Sequence, residues 1–171
     1  MVWDSEVEAA ASHWGREYGV TVDPAVIHAV IERESRHGQD PNYLRYHGVV
    51  PEPGGHFSYG PMQVYDDTVR TVLRLTFPPE ALASHPNLGI WYGVKEFARR
   101  LKILGGDQVK AISAWNAGLG GVGTNPAYVS AVLGFWNQYR RQIKASAVPA
   151  LVLAAVVLVA LARRRRAARA A

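Results

Sequence analysis

The sequence predicts a mainly α-helical domain, with room for a small β or irregular region, followed by one C-terminal transmembrane helix. Three observations carry this. Apolar residues recur at helical spacing through most of the chain up to Tyr139. One region, Gly38 to Gly60, interrupts that pattern with Pro, Gly, Asn and His. From Ala145 to Ala162 there are 18 residues without a charge, and only Ser146 among them is polar.

A chain of 171 residues is long enough for one compact domain with a real core. It contains no cysteine, which excludes a disulfide framework and a thiolate metal site and leaves the redox compartment open. The formal charge of +5 invites a nucleic-acid reading. Its distribution argues otherwise: eight basic and no acidic residues lie from Arg140 onward, leaving eleven basic against fourteen acidic in 1–139. A nucleic-acid-binding domain concentrates positive charge on its own body, so no nucleic-acid partner is expected.

In chain order, the first helix is expected in MVWDSEVEAAASHWGREYG, with Ser5 and Glu8 as a capping box and Gly19 as its end. Val7, Ala11 and Trp14 or Tyr18 fall on its buried side. This opening is not a signal peptide, since it begins with acids and has neither a basic segment nor a long apolar run.

The second helix spans Asp23 to Gly38, with Asp23 as cap, Pro24 at the first helical position and Gly38 as stop. Val26, Ile27, Val30 and Ile31 form its apolar stripe. Glu34 lies within about 20° of Ile27 and 40° of Val30, on the core side. Glu32 lies opposite, one turn beyond His28, where a solvated i,i+4 pair belongs. A carboxyl beside Ile and Val at the negative end of a helix dipole should have a raised pKa, which is how a general acid is made.

The long irregular region then has room for a short hairpin at Tyr43 to Val50. Asp66 or Asp67 can cap a helix to about Leu75, broken by Pro78 and Pro79. Asn87 to Leu104 has the clearest period: Ile90, Val94, Phe97, Leu101 and Leu104 point inward, with Lys95, Arg99, Arg100 and Lys102 outside. Asp107 caps a helix running into Asn116-Ala117-Gly118. The last helix of the domain starts near Pro126 and turns Tyr128, Val132, Phe135 or Trp136 and Tyr139 inward. There is no internal repeat.

The apolar run Ala145 to Ala162 would span roughly 27 Å at about 1.5 Å per residue, close to the ~30 Å hydrocarbon core of a bilayer. Lys144 before it and Arg163 to Arg166 after it can snorkel to the interfaces. The expected organisation is therefore a domain at 1–143, a transmembrane helix at 144–162 and a basic tail at 163–171, with a lipid bilayer as partner.

Four short pieces occur in order: Ile31-Glu32-Arg33-Glu34-Ser35, Tyr59-Gly60-Pro61-Met62-Gln63-Val64, Ala111-Ile112-Ser113-Ala114-Trp115-Asn116-Ala117-Gly118, and Ala127-Tyr128-Val129. Together they resemble the soluble lytic transglycosylase (SLT) domain and the goose-type lysozyme, both of the lysozyme-like superfamily, over roughly Val20 to Arg141. The resemblance implies a lysozyme-like fold and peptidoglycan glycan strands as substrate. It implies that Glu34 is the catalytic acid at the bond between N-acetylmuramic acid (MurNAc) and N-acetylglucosamine (GlcNAc), then the base that lets the muramoyl 6-hydroxyl close on C1. It further implies that Ser35 and Gln63 bond to substrate or the acid and that Met62 lines the sugar cleft. Trp115 would stack on sugar, Asn116 would hold the turn opposite Glu34, and Tyr128 would bond to Glu34 or the adjoining sugar. No cofactor or metal is required.

Two departures stand out, since the family usually has Leu where Pro61 stands and Tyr where Trp115 stands. Any role of a hydroxyl at position 115 is thereby in doubt. An inverting hydrolase needs a second carboxylate about 6.5–9.5 Å from the acid. The loop before the Met62-Gln63 pair offers only Asp40 and Glu52, and Asp66 and Asp67 read more simply as helix caps. That favours a transglycosylase over a goose-type hydrolytic muramidase. His37, His47 and His56 match no metal-ligand spacing and read as loop histidines on a polar surface. A non-catalytic wall-binding protein would predict loss of the acid, and a membrane-perturbing or holin-like tail leaves the cleft motifs unexplained. With no signal peptide, the expected setting is a phage virion-associated enzyme, anchored in an internal virion membrane or in the host envelope alongside virion or cell-envelope proteins.

Overall fold

A computed structural model describes residues 2–143 and 145. The expected span at Ala145 to Ala162 lies, apart from Ala145, outside the described residues. Among those described, no helix is long and apolar enough to cross a membrane.

Mainly helical as expected, the chain forms α1 (Asp4–Tyr18), α2 (Pro24–Ser35), α3 (Pro41–Arg45), β1 (Val49–Glu52), β2 (His56–Tyr59), β3 (Val64–Tyr65), a π-helical turn (Thr68–Leu73), α4 (Ala81–Ser84), α5 (Pro86–Ile103), α6 (Gln108–Ala117) and α7 (126–143). The helix α2 sits at the centre: Ala25 to Ile31 are all buried, so it is covered nearly all round and not on one stripe alone. Asp23 caps it, its Oδ1 accepting from the Ala25 N–H at 2.9 Å, while its Oδ2 accepts from the Trp136 indole at 2.9 Å. The cap thus also fastens α7 to α2.

The helix stops at Ser35, before Gly38, because Arg36 and His37 already have left-handed backbone at φ 47° and 52°. That reversal alters the expected Glu32–His28 pair. Burial pushes His28 down to about 4, with His37 adding to the effect. Its ring meets His37 at 3.2 Å and Asp4 at 3.2 Å, while Glu32 bonds to His37 at 2.8 Å and to the Tyr139 hydroxyl at 3.2 Å. His37 is therefore a packed, bonded residue, unlike the exposed His47.

Other boundaries differ for local reasons. No side chain caps α1, and Ser5 bonds to Glu6 in place of closing a box with Glu8; Gly19 does end the helix, in left-handed backbone. The expected hairpin moves downstream: Tyr43 belongs to α3, capped by Asp40, and β1 pairs antiparallel with β2 and β2 with β3. Neither Asp66 nor Asp67 caps a helix with its side chain; Asp66 takes Arg70 at 2.8 Å and the Tyr59 hydroxyl at 3.4 Å.

The Gly60-Pro61-Met62-Gln63 turn is seated on α5 by close backbone approach. A Cβ on Gly89 would lie 2.4 Å from the Leu82 carbonyl and 2.7 Å from Pro61, and one on Gly93 would lie 2.5 Å from the Met62 sulfur. Only glycine permits that contact. Ile90, Val94, Phe97 and Leu101 are fully buried on α5, but Arg100 is buried too, contrary to the sequence expectation. Its Nε donates to Glu96 at 2.7 Å, and Arg99 forks onto the same carboxylate at 2.6 and 2.8 Å.

Candidate active site

The end of α2 carries Glu34, and the start of α7 meets it. Tyr128 sits in the first turn of α7, and its hydroxyl donates to Glu34 Oε1. This turn is fixed by Asn125, whose Oδ1 accepts from the Tyr128 N–H at 3.0 Å while its amide donates to Asn116 Oδ1. The loop between them is tied back to α6 by the Gly123 N–H, which donates to Ser113 Oγ at 2.7 Å. Arg100 reaches the carbonyls of Ala114 and Trp115, the latter at 3.2 Å, and so holds the end of α6.

Glu34 is half-buried, open enough for a substrate to reach and enclosed enough to lose hydration. Burial pushes its carboxyl up to about 7, against the Tyr128 hydroxyl and Arg33, which favour ionisation; Glu52 pushes it further up. Burial and the Glu34 charge raise Tyr128 far above its ordinary value, so its proton stays in place as a donor. Arg33 lies over the Tyr128 ring, 5.6 Å from its centroid. A carboxylic acid that exchanges its proton near neutrality, with one oxygen held and the other unclaimed by that bond, suits general acid–base work.

The structure brings Glu34 and Tyr128 into contact and ties Asn116 to them through Asn125. Asn116 is exposed, and its bond is to Asn125 with none to the acid. Trp115 is half-buried between Phe97, 6.1 Å away, and Arg100, 5.3 Å from its ring. Gln63 has left-handed backbone, φ 50°, and folds its amide onto the Gly60 carbonyl at 2.8 Å. Ser35 and Met62 depart from expectation: both are fully buried. Ser35 donates to the Ile31 carbonyl at 3.2 Å and accepts from the Gly38 N–H, which shapes the exit from α2 and uses the hydroxyl. Met62 packs on Gly93 in the core.

Asn125 joins the site without standing in any of the four motifs. Its signal was present, an Asn just before Pro126 at a helix start, which is a cap pattern.

The transglycosylase SLT domain family matches residues 13–133. The chain belongs to that family. No curated protein and no solved structure matches it significantly. The matched stretch runs from within α1 to within α7 and contains Glu34, Gln63, Asn116, Asn125 and Tyr128. Membership supports peptidoglycan as the substrate and cleavage of the lytic-transglycosylase type. Among the described residues of this SLT domain, no group of three or more His, Cys, Asp or Glu side chains could hold a metal ion.

Replacing Tyr128 by Phe removes the donor that favours the ionised acid. The alkaline limb of the pH–rate profile is expected to move above its wild-type position, with a rate loss of about tenfold or more at the optimum. A limb that stays in place, measured by clearing of wall suspensions across pH 5 to 9, would contradict the assigned bond.

Proposed function

We propose that this chain is a lytic transglycosylase that breaks the β-1,4 bond between MurNAc and GlcNAc in peptidoglycan. The observation that carries the reading is Glu34: a half-buried acid whose one oxygen is held by Tyr128 and whose proton is retained to about 7. Protonated Glu34 gives its proton to the glycosidic oxygen as the C1–O bond breaks, and the released GlcNAc end leaves with that proton. Positive charge builds at C1 and the ring oxygen of the muramoyl sugar, facing the carboxylate just formed. Glu34 then takes the proton of the muramoyl 6-hydroxyl as that oxygen bonds to C1. The acid is regenerated, no water is consumed, and the product ends in 1,6-anhydro-MurNAc. Trp115, Asn116 and Gln63, with Tyr128, are assigned to holding the strand and the acid in register.

A goose-type hydrolytic route has one observation in its favour. Asp40 is engaged as a helix cap and Asp66 by Arg70, while Glu52, which accepts from Ser58 at 2.9 Å, adds the smallest contribution to the upward push on Glu34. Glu52 would then activate water on the opposite face of the sugar. Mass spectrometry of digested peptidoglycan separates the two: anhydro-muramoyl ends are expected, and reducing muramic acid ends would sink the transglycosylase.

We further propose that Ala145 to Ala162 anchors the enzyme in a bilayer, on the strength of its uncharged length and the flanking Lys144 and Arg163 to Arg166. An internal virion membrane or the host envelope would hold such an anchor within reach of the wall.

A further inference from the structure

Three helices meet on a pair of enclosed histidines. His28 lies on α2 and His37 in the left-handed turn that ends it, and their side chains are only 2% and 11% exposed. His28 Nδ1 stands 3.2 Å from His37 Nε2, with the ring centres 5.5 Å apart and the planes at 23°. Those two lengths differ by about two ring radii, so both nitrogens lie near the line between the centres, as an N–H···N bond requires. Each outer nitrogen faces a carboxylate: His28 Nε2 is 3.2 Å from Asp4 of α1, and His37 Nδ1 is 2.8 Å from Glu32 of α2. From α7, the Tyr139 hydroxyl donates to Glu32 at 3.2 Å.

These contacts fix a proton count. A bare nitrogen facing a carboxylate sets a lone pair against a negative charge, so each outer nitrogen carries a proton. Between the rings two lone pairs repel and two protons collide, whereas one proton makes a bond. All three contacts are met by three protons on four nitrogens, one more than two neutral rings hold. Burial, then His37, pushes His28 down to about 4, with the N-terminal amino group adding to the fall and Asp4 opposing it. His28 is therefore the neutral acceptor, and the extra proton falls to His37. Burial and the charge of Glu32 raise Tyr139, which stays a donor.

The pair is tied to the acid through the end of α2. In the turn that His37 occupies, the Arg36 N–H donates to the Glu32 carbonyl at 3.0 Å and the Gly38 N–H to Ser35 Oγ at 3.2 Å, on either side of Glu34 in the chain. The helix α7 grips the same end twice, by Tyr139 on Glu32 and by Tyr128 on Glu34. We propose that His28 and His37 are a positioning pair for the acid: they share one extra proton, and the clamp it makes between α1, the exit of α2 and α7 keeps the Glu34 carboxyl enclosed. It rests on the reading of Glu34 as the catalytic acid, on which the pair acts through the helix end.

The test is ¹⁵N NMR of the full chain in detergent micelles at about pH 5.5, with the two imidazoles assigned through the backbone. Three protonated nitrogens and one bare are expected, with a scalar coupling between His28 Nδ1 and His37 Nε2 across the shared proton. Four protonated nitrogens, or two, would overturn the shared proton. Positioning is read at Glu34 itself. Asparagine tolerates the left-handed backbone at position 37 and is too short to span Glu32 and His28. In His37→Asn the Glu34 midpoint, followed by ¹³C NMR, is expected to fall from about 7 to about 6 as water gains access, and the alkaline limb of wall clearing to fall with it. An unchanged Glu34 midpoint would overturn the positioning role, since a loss of stability alone leaves ionisation in the folded state as it was. A wild type that clears no wall, with a Glu34 midpoint that His37→Asn still lowers, would keep the clamp and sink the glycan-cleaving reading.

Discussion

Glu34→Gln is expected to lower wall-clearing activity by at least about 10³-fold and, at the same time, to make the folded domain more stable above pH 7. Both effects come from one cause. The carboxyl is pushed from an ordinary 4.5 up to about 7, mainly by burial, so the folded chain holds this proton more tightly than the unfolded chain. Below pH 4.5 the acid is protonated in both states and costs nothing. Between 4.5 and 7 stability falls as pH rises, and above 7 the full penalty of an ionised buried group is present. Gln carries no such penalty and can still accept from Tyr128. The variant should therefore exceed wild type by roughly 2–3 kcal/mol at pH 8 and match it at pH 4. Urea unfolding at the two pH values checks this; equal stability at pH 8 would mean that Glu34 is ordinarily hydrated.

The largest loss of stability is expected from Arg100→Met, at about 3–5 kcal/mol. Glu96 is almost wholly buried, and Arg100 supplies one of its two cations. The same guanidinium donates to the Ala114 carbonyl, which also takes the Gly118 N–H, and to the Trp115 carbonyl, near the end of α6. Removing it leaves a buried carboxylate served by Arg99 alone and loosens the segment that carries Trp115 and Asn116. Arg99→Met, at a more exposed cation, should cost about 1 kcal/mol. Thermal unfolding of the two variants distinguishes them, and equal shifts would show that the α6 carbonyls do not depend on Arg100.

Much of this was legible in the sequence, and the parts that were not share a physical origin. Asp23-Pro24 marked the start of α2, the phase of Val26, Ile27, Val30 and Ile31 placed Glu34 inward, and the period of Ile90, Val94, Phe97 and Leu101 gave α5, because these signals are local. The family motifs joined Glu34 to Tyr128, 94 residues apart, which no local pattern could have done. What escaped depends on long-range contact. The sheet register, which brings Glu52 beside Ser58, could not be read from short strands interrupted by Pro51 and the glycines. The burial of Met62 follows from two glycines four residues apart on α5, which periodicity treats as neutral. Arg100 reads as surface by type and is buried because Glu96 and two carbonyls need it. Ser35 is adjacent to the acid in sequence, yet the left-handed turn that follows it claims its hydroxyl.

The central claim is that Glu34 is a carboxylic acid held protonated close to neutrality at the end of α2. A ¹³C NMR titration of the glutamate side-chain carboxyls, with Glu34 assigned by its disappearance in Glu34→Gln, measures this without reference to substrate or rate. A Glu34 midpoint at about 7 is expected. A midpoint near 4.5 would contradict it.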